Sequence, residues 1–253
     1  MPVISLLTDF GASDSYVAEM KAVLLTAAPG SVIVDVSHEV PPGDRRAARY
    51  LLGRTWSRFP AGTIHLAVVD PEVGTSRRAL AAQAHGHHFI APDNGILSPI
   101  LEGATVVQLA VPPEASTTFH GRDVFAPAAA RLARGEDLST LGPAVSDPIF
   151  WPAPVARTEA DGVRGEVVYV DRFGTLITNI PGSMFQGATG VVVGGEFTAH
   201  LGRTFRDVDQ GALVAFVGSG GTVEIAARDR SAAHSTGVGI GGVVRVLGPP
   251  KGA

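Results

Sequence analysis

The sequence predicts two domains, an α/β domain followed by a smaller all-β, barrel-like one, and three observations carry that expectation. Up to about Phe150, short apolar runs alternate with segments whose apolar residues recur at helical spacing. After Gly165 the helical spacing vanishes and short strands between glycine turns take over. Between the two, the stretch from Phe150 to Gly165 holds Pro152, Pro154 and several charges without periodicity, as a linker does. The expected bounds are therefore 1–150 for the α/β domain, 151–164 for the linker and 165–253 for the β domain.

The elements follow in order. Val3 to Leu7 reads as a buried strand that ends at Thr8-Asp9-Phe10-Gly11. Val17, Met20, Leu24 and Ala27 then mark a helix that Pro29-Gly30 stops. Val32 to Val36 is a second buried strand, 44–58 a helix, and Ile64 to Val69 a third strand, so the sheet should be largely parallel. Arg78 to Ala84 and His88 to Ala91 flank the turn His85-Gly86-His87 as a hairpin. Gly95 to Leu101 reads as a short helix, Val106 to Ala110 as a strand and Val124 to Ala133 as the closing helix. In the second domain the expected strands are Glu166 to Val170, Leu176 to Asn179, Gly190 to Val193, Leu213 to Val217, Thr222 to Ala226 and Val243 to Leu247, arranged as a barrel or a sandwich.

Composition excludes several classes. Of the 253 residues 45% are apolar and 17% charged, which supplies a core and argues against disorder. Twenty basic against 24 acidic residues leave a net charge of −4 with no basic run, so no nucleic-acid partner is expected. The absence of cysteine removes disulfides, thiolate metal sites and a Cys nucleophile, and fits a reducing, cytoplasmic compartment. Met1 to Leu7 lacks the basic start of a signal peptide, and no apolar run approaches the ~20 residues of a membrane helix.

Chemistry should collect where parallel strands end. Asp9 and Asp70 each fall just past the carboxyl end of an expected strand, the usual ligand crevice of an open α/β sheet, although an Asp there also caps turns. Val69-Asp70-Pro71-Glu72-Val73-Gly74-Thr75-Ser76-Arg77-Arg78 sets a carboxylate seven and eight residues from two guanidiniums, as a buried Asp-Arg pair or as a solvated loop. Phe119-His120-Gly121-Arg122-Asp123 places an imidazole at the mouth of a helix, beside a glycine that would let a ligand approach, and the alternative is a capping or core His. His85, His87 and His88 sit on a hairpin tip that sends neighbours to opposite faces, so no metal site is expected there. Gly237-Val238-Gly239-Ile240-Gly241-Gly242 leads into a strand where a phosphate loop needs a helix, so it reads as a turn.

Five segments in this order, Leu6-Leu7-Thr8-Asp9-Phe10-Gly11, Val69-Asp70-Pro71 through Arg77-Arg78, Ala91-Pro92-Asp93-Asn94-Gly95, Phe119 to Asp123, and Asp171-Arg172-Phe173-Gly174 to Thr178-Asn179-Ile180, resemble the S-adenosylmethionine hydroxide adenosyltransferases. That family is related to the fluorinating and chlorinating enzymes that use the same substrate. The resemblance spans nearly the whole chain. It implies hydrolysis of S-adenosylmethionine to adenosine and methionine by attack of water or hydroxide at the ribose 5′ carbon, with no cofactor. It also implies a Rossmann-like first domain, a β-barrel second domain, and a homotrimer whose sites lie between one subunit's first domain and its neighbour's second.

Carried over by motif, Asp70, Arg77 and His120 would handle the attacking water. Asp9 would hold the ribose hydroxyls, Phe119 and Thr175 would contact the substrate, and Asp171 and Ser219 would hold the amino-acid end of methionine. The family often has Asn where this chain has Thr175, which offers a hydroxyl in place of an amide, and Gly218-Ser219-Gly220-Gly221 lacks the bulkier residues usual after that Ser. The sulfonium already makes methionine a good leaving group, so the protein chiefly needs to place a nucleophile in line with the C5′–S bond and exclude bulk water. Two other readings stand beside this one. A halogenase of the same fold would lack the Asp-Arg-His set and carry an insertion for which the hairpin at Gly86 leaves no room, and a non-catalytic S-adenosylmethionine or adenosine sensor would need Asp9 and Asp171 but not His120.

Overall fold

The computed structural model describes residues 1–248. Its chain divides into two compact units, Met1–Pro152 and Ala153–Ala253. The first contains β1 (Val3–Thr8), α1 (Tyr16–Ala27), β2 (Val32–Ser37), α2 (Arg45–Thr55), β3 (Ile64–Val68), β4 (Ala79–Ala84), β5 (His87–Pro92), β6 (Thr105–Leu109) and α3 (Ala126–Ala133). The strands form one sheet in the order β2-β1-β3-β5-β4-β6.

This sheet is mixed: it is parallel, as expected, except at β4, the first arm of the expected hairpin. β2, β1, β3 and β5 pair in parallel, while β4 runs antiparallel to both β5 and β6. The cause is local: β4 and β5 are joined by two residues, His85 and Gly86, at φ 52° and 77°, and so tight a turn can only return the chain antiparallel. β2 is not the buried strand that its apolar run predicts. It is the sheet's outer edge, and Val32 and Val34 are 40% and 36% exposed. Ile4, Leu6, Ile64, Leu66 and Ile90 share a core with Met20 and Leu24 of α1 and with Ala126, Ala129 and Ala130 of α3. Such burial contributes about 1.5–3 kcal/mol for each large aliphatic side chain.

Two helical expectations change. The segment Gly95 to Leu101 forms only a single 3-10 turn, Ser98–Ile100, before Gly103 at φ 70° ends it. The last helix begins not at Val124 but with a wide π turn over Gly121–Phe125, where the Ala126 amide donates to the Gly121 carbonyl, before α3 takes over. Pro127 falls in the first turn of α3, where its missing N–H costs no helical hydrogen bond.

The second unit is built from β7 (Arg157–Glu159), β8 (Gly162–Val170), β9 (Leu176–Pro181), β10 (Gly190–Val193), β11 (Phe197–Leu201), β12 (Leu213–Val217), β13 (Thr222–Ala227), a short α4 (Ala232–Thr236) and β14 (Val243–Leu247). The order β14-β10-β11-β12-β13-β9-β8 closes through a β14–β8 pairing into a seven-stranded barrel, with β7 added on the edge of β8. Between a barrel and a sandwich, closure decides for the barrel. Val167, Leu176, Ile180, Val191, Val193, Ala215, Val223, Ile225, Val244 and Val246 form its core.

The stretch 151–164 is not wholly a linker. β7 and the start of β8 make a hairpin there, with Glu159 opposite Gly162 across Ala160-Asp161, and the proline-rich part before it contributes no strand. β11 and α4 were invisible to periodicity. β11 has little apolar alternation, and α4 is a one-turn helix that Ser231 caps and Gly237, at φ 67°, ends. The 237–242 glycine segment is accordingly a helix exit and a turn into β14. No helix of the described residues is long and apolar enough to cross a membrane.

Candidate active site

β1 and β3 are neighbours in register, with Thr8 opposite Val68, so the residues after their carboxyl ends emerge side by side. Asp9 follows β1 and its Oδ2 accepts a 2.8 Å hydrogen bond from the Gly43 amide. Burial raises the Asp9 carboxyl above the ordinary aspartate range. The Gly43 amide pulls against that shift, and the nearby Asp70 charge adds to it.

Asp70 and Arg77, seven residues apart, close on each other across the loop after β3, and their side chains are only 4% and 5% exposed. Arg77 Nε donates to both Asp70 oxygens at 3.0 and 2.9 Å, and Nη2 donates to Oδ2. The same Nη2 donates to His120 Nδ1 at 2.8 Å. The guanidinium therefore sits between a carboxylate and an imidazole, with the Phe125 ring centroid 5.3 Å from its carbon. Its remaining nitrogen, Nη1, is buried and has no hydrogen-bond partner among the described residues.

The tautomer of His120 follows from this arrangement. An arginine N–H only donates, so His120 Nδ1 accepts and a neutral ring carries its proton on Nε2. Burial lowers the His120 pKa, the Arg77 charge lowers it further, and Asp70 and Asp123 oppose both. His120 is held neutral near neutral pH.

Phe119 is buried and stands edge-on to both Phe10 and Tyr16, at 5.9 and 5.2 Å between centroids. Arg122 lies 5.0 Å over Phe119 while pairing with Asp123 and Glu19, which ties this wall to α1. Gly121 is small for packing, not for ligand approach. A Cβ there would lie 3.1 Å from Met20 Sδ and 3.3 Å from the Phe119 ring.

Only the first of the two arginines joins the site. Neighbouring residues entering a strand point to opposite sides, and Arg78 turns away to Asp93 and Asp147. The histidine cluster lies at the other end of the sheet, since His87 opens β5 whereas Asp70 follows the end of its parallel neighbour β3. There His85 stacks on Trp56, and His87 Nδ1 lies 3.2 Å from His65 Nε2, whose Nδ1 in turn meets Ser5 Oγ at 2.7 Å. Among the described residues no group of three or more His, Asp or Glu side chains gathers in a way that would hold a metal ion.

In the second unit Asp171 builds the loop between β8 and β9. Its Oδ1 accepts from the amides of Phe173 and Thr175 at 3.0 and 2.8 Å, and its own amide donates to the Thr175 carbonyl. Thr175 is buried, whereas Phe173, which sequence reasoning did not single out as a site residue, is held 79% exposed. Its signal was the Asp-x-Phe-Gly turn, in which an Asx residue orders the chain around an aromatic. Ser219 lies in the Gly218–Gly221 turn between β12 and β13. β9 pairs with β13 so that Leu176 faces Ile225 and Pro181 faces Thr222, which puts the Asp171 loop and the Ser219 turn at opposite ends of that ladder.

Comparison with known proteins agrees across both units. Residues 4–142 match the SAM hydroxide adenosyltransferase N-terminal domain and residues 165–245 the C-terminal domain. A Thermus thermophilus protein named (R)-S-adenosyl-L-methionine hydrolase is 42% identical, over 98% of this chain and all of its own. An Actinoplanes fluorinase is more distant, at 30% identity over 89% of this chain and 90% of its own. The crystal structure of an uncharacterized conserved protein from Thermotoga maritima superposes with a TM-score of 0.87 at 35% identity, covering 96% of this chain and 99% of that one.

Proposed function

Because the chain belongs to the SAM hydroxide adenosyltransferase family, we propose that it hydrolyses S-adenosyl-L-methionine to adenosine and L-methionine, with the (R) sulfonium epimer that its curated relatives' name specifies as substrate. The observation that carries the reading is the buried Arg77 guanidinium held between Asp70 and His120, beside Asp9 at the ends of two parallel strands. S-adenosylmethionine is the substrate, and the chemistry needs no cofactor. The first unit is read as Rossmann-like.

In this mechanism a water attacks C5′, the C5′–S bond breaks, the bonding pair leaves with methionine sulfur, and one proton is released. Arg77 stabilises the hydroxide character that the water gains, and its free Nη1 hydrogens are the donors available for that task. Asp70 fixes the guanidinium in plane. His120 orients Arg77 through Nδ1, so it takes the water's proton only when that hydrogen bond opens. Asp9 accepts from the ribose diol, Phe119 walls the reacting centre, and Asp171, Thr175 and Ser219 serve the rest of the substrate. These last three belong to the second unit. Completion of each site by a neighbouring subunit in a homotrimer is part of the proposal, as is a cytoplasmic location, which a chain without cysteine fits.

The experiment is a chromatogram of the products formed from each sulfonium epimer, with and without fluoride and chloride. Adenosine from the (R) epimer, unaffected by halide, is the expected result. A 5′-halogenated nucleoside would make the protein a halogenase, and intact substrate would make it a binding protein.

A further inference from the structure

The segment Pro92-Asp93-Asn94-Gly95 helps mark the family, yet the mechanism above gives it no task. In the structure this turn grips both ends of the loop that carries Asp70 and Arg77. At the loop's start, Asn94 Nδ2 donates at 2.9 Å to the carbonyl of Val69, the residue before Asp70. At its finish, the Asp93 amide donates at 2.9 Å to the carbonyl of Arg78, the residue after Arg77, and Asp93 Oδ2 accepts from Arg78 Nε at 2.7 Å. Both gripping residues are buried, Asn94 completely.

The grip is itself braced from outside. The Ile149 amide donates at 2.7 Å to the other Asp93 oxygen, and Asp147 accepts from Arg78 Nη1 at 2.7 Å. Trp151 lies on Gly95 so closely that a Cβ there would fall 2.5 Å from the indole, and the same indole carries the Arg45 guanidinium at 4.9 Å.

The loop needs such a grip. Pro71, Glu72, Gly74, Thr75 and Ser76 are exposed, and the turn hydrogen bonds within the loop, from the Val73 amide to the Asp70 carbonyl and from the Thr75 amide to the Glu72 carbonyl, order its middle and not its outer ends at Val69 and Arg78. An exposed turn of this kind does not by itself fix its two ends to the few tenths of an ångström that a fork-to-carboxylate contact requires. Asn94 also keeps a buried Oδ1 with no hydrogen-bond partner among the described residues. A turn selected for stability alone would not retain an unmatched buried acceptor, whereas functional sites tolerate one.

We propose that Asp93 and Asn94 are positioning residues for the hydrolysis, anchoring the two ends of the 70–77 loop so that Arg77 stays clasped between Asp70 and His120. The proposal rests on the hydrolytic reading for its kinetic consequences and on geometry for the clamp.

The test compares the full-length protein with Asn94→Ala and with the milder Asp93→Asn, which preserves shape and the backbone bond but weakens the pair with Arg78. Hydrolysis rates and the imidazole titration of His120, followed by NMR without substrate, are read on each. The charges facing that imidazole are Arg77, Asp70 and Asp123. When Arg77 is freed to swing away, the titration of His120 should move up toward that of an ordinary histidine. In Asn94→Ala, kcat should fall about tenfold to hundredfold, the scale of a 1 Å misplacement, while KM changes less than about threefold. Asp93→Asn should show the same pattern in smaller measure. Folded variants with wild-type kcat and an unmoved His120 titration would overturn the clamp, as would a raised KM at unchanged kcat. Should Asn94→Ala not fold, Asp93→Asn decides alone. If the wild-type protein does not hydrolyse S-adenosylmethionine, the hydrolytic reading fails while the substrate-free titration still judges the clamp.

Discussion

Arg77 donates to Asp70 from Nε and Nη2 and to His120 from Nη2, so lysine at this position keeps the charge and loses the fork. Arg77→Lys should therefore lower kcat strongly. His120→Ala should cost roughly 10²–10⁴ in rate, the usual scale for a positioned acid–base group, with little change in affinity for an unreactive substrate analogue. Asp9→Ala should show the opposite balance, since contacts to the diol exist in ground and transition states alike. Single-turnover rates set against equilibrium binding separate the two patterns.

A different residue contributes to acid stability. His65 is buried against Ser5, His87 and Phe89, and burial, helped by His87, pushes its pKa down to about 3. The unfolded chain binds that proton near pH 6.5 and the folded chain does not. Its contribution to stability is thus complete above about pH 6.5 and is lost progressively as pH falls toward 3. Thermal melts from pH 8 to pH 4 should fall steeply for the wild type and less so for His65→Gln.

At the scale of elements, turns decide what the helices and strands present. The Asp44 carboxylate caps α2 by accepting from the Arg46 and Ala47 amides, both at 3.0 Å. Asp44→Ala should cost about 1 kcal/mol in chemical denaturation while leaving the site chemistry intact. Gly95 has φ 90° and the Trp151 ring upon it. Gly95→Ala should cost about 1–3 kcal/mol from backbone strain alone, with the displaced indole adding to it.

The same turns explain which elements could be read in advance. The β1–α1 unit was legible because Val17, Met20 and Leu24 keep helical period and Pro29-Gly30 stops it. The β4–β5 hairpin was legible at His85-Gly86, and with it the one antiparallel return in an otherwise parallel sheet. The edge position of β2 was not legible, because Val-Ile-Val reads the same whether or not a neighbour covers it. The π turn at Gly121–Phe125 was not legible, because a helical period reads the same whether one turn closes by four residues or by five.

For the whole molecule, the two-part organisation was visible in the change of period, whereas closure of the barrel depends on the pairing of β8 with β14, strands more than 70 residues apart in sequence. Of the candidate site, Asp9 and Asp70 could be placed together by strand order alone. The contact of Arg77 with His120, 43 residues on, could not, because no local pattern couples them. The family resemblance assigns Asp171 and Ser219 to one end of the substrate, and their loops lie at opposite ends of the β9–β13 ladder. The composite trimer is a prediction at this scale. Asp9→Ala and Asp171→Ala proteins, each nearly silent when assayed far below their raised KM, should regenerate activity at that substrate concentration when their subunits exchange, and an active monomer would contradict the assembly.

In the proposed reaction solvent water, activated by the Asp70–Arg77–His120 set, displaces methionine at C5′. Hydrolysis of the (R) epimer in ¹⁸O-water with halide present tests it most directly, by mass spectrometry of both products. Adenosine with one ¹⁸O at its 5′ hydroxyl and unlabelled methionine is the expected result. Unlabelled adenosine, or a nucleoside carrying halogen at that carbon, would contradict it.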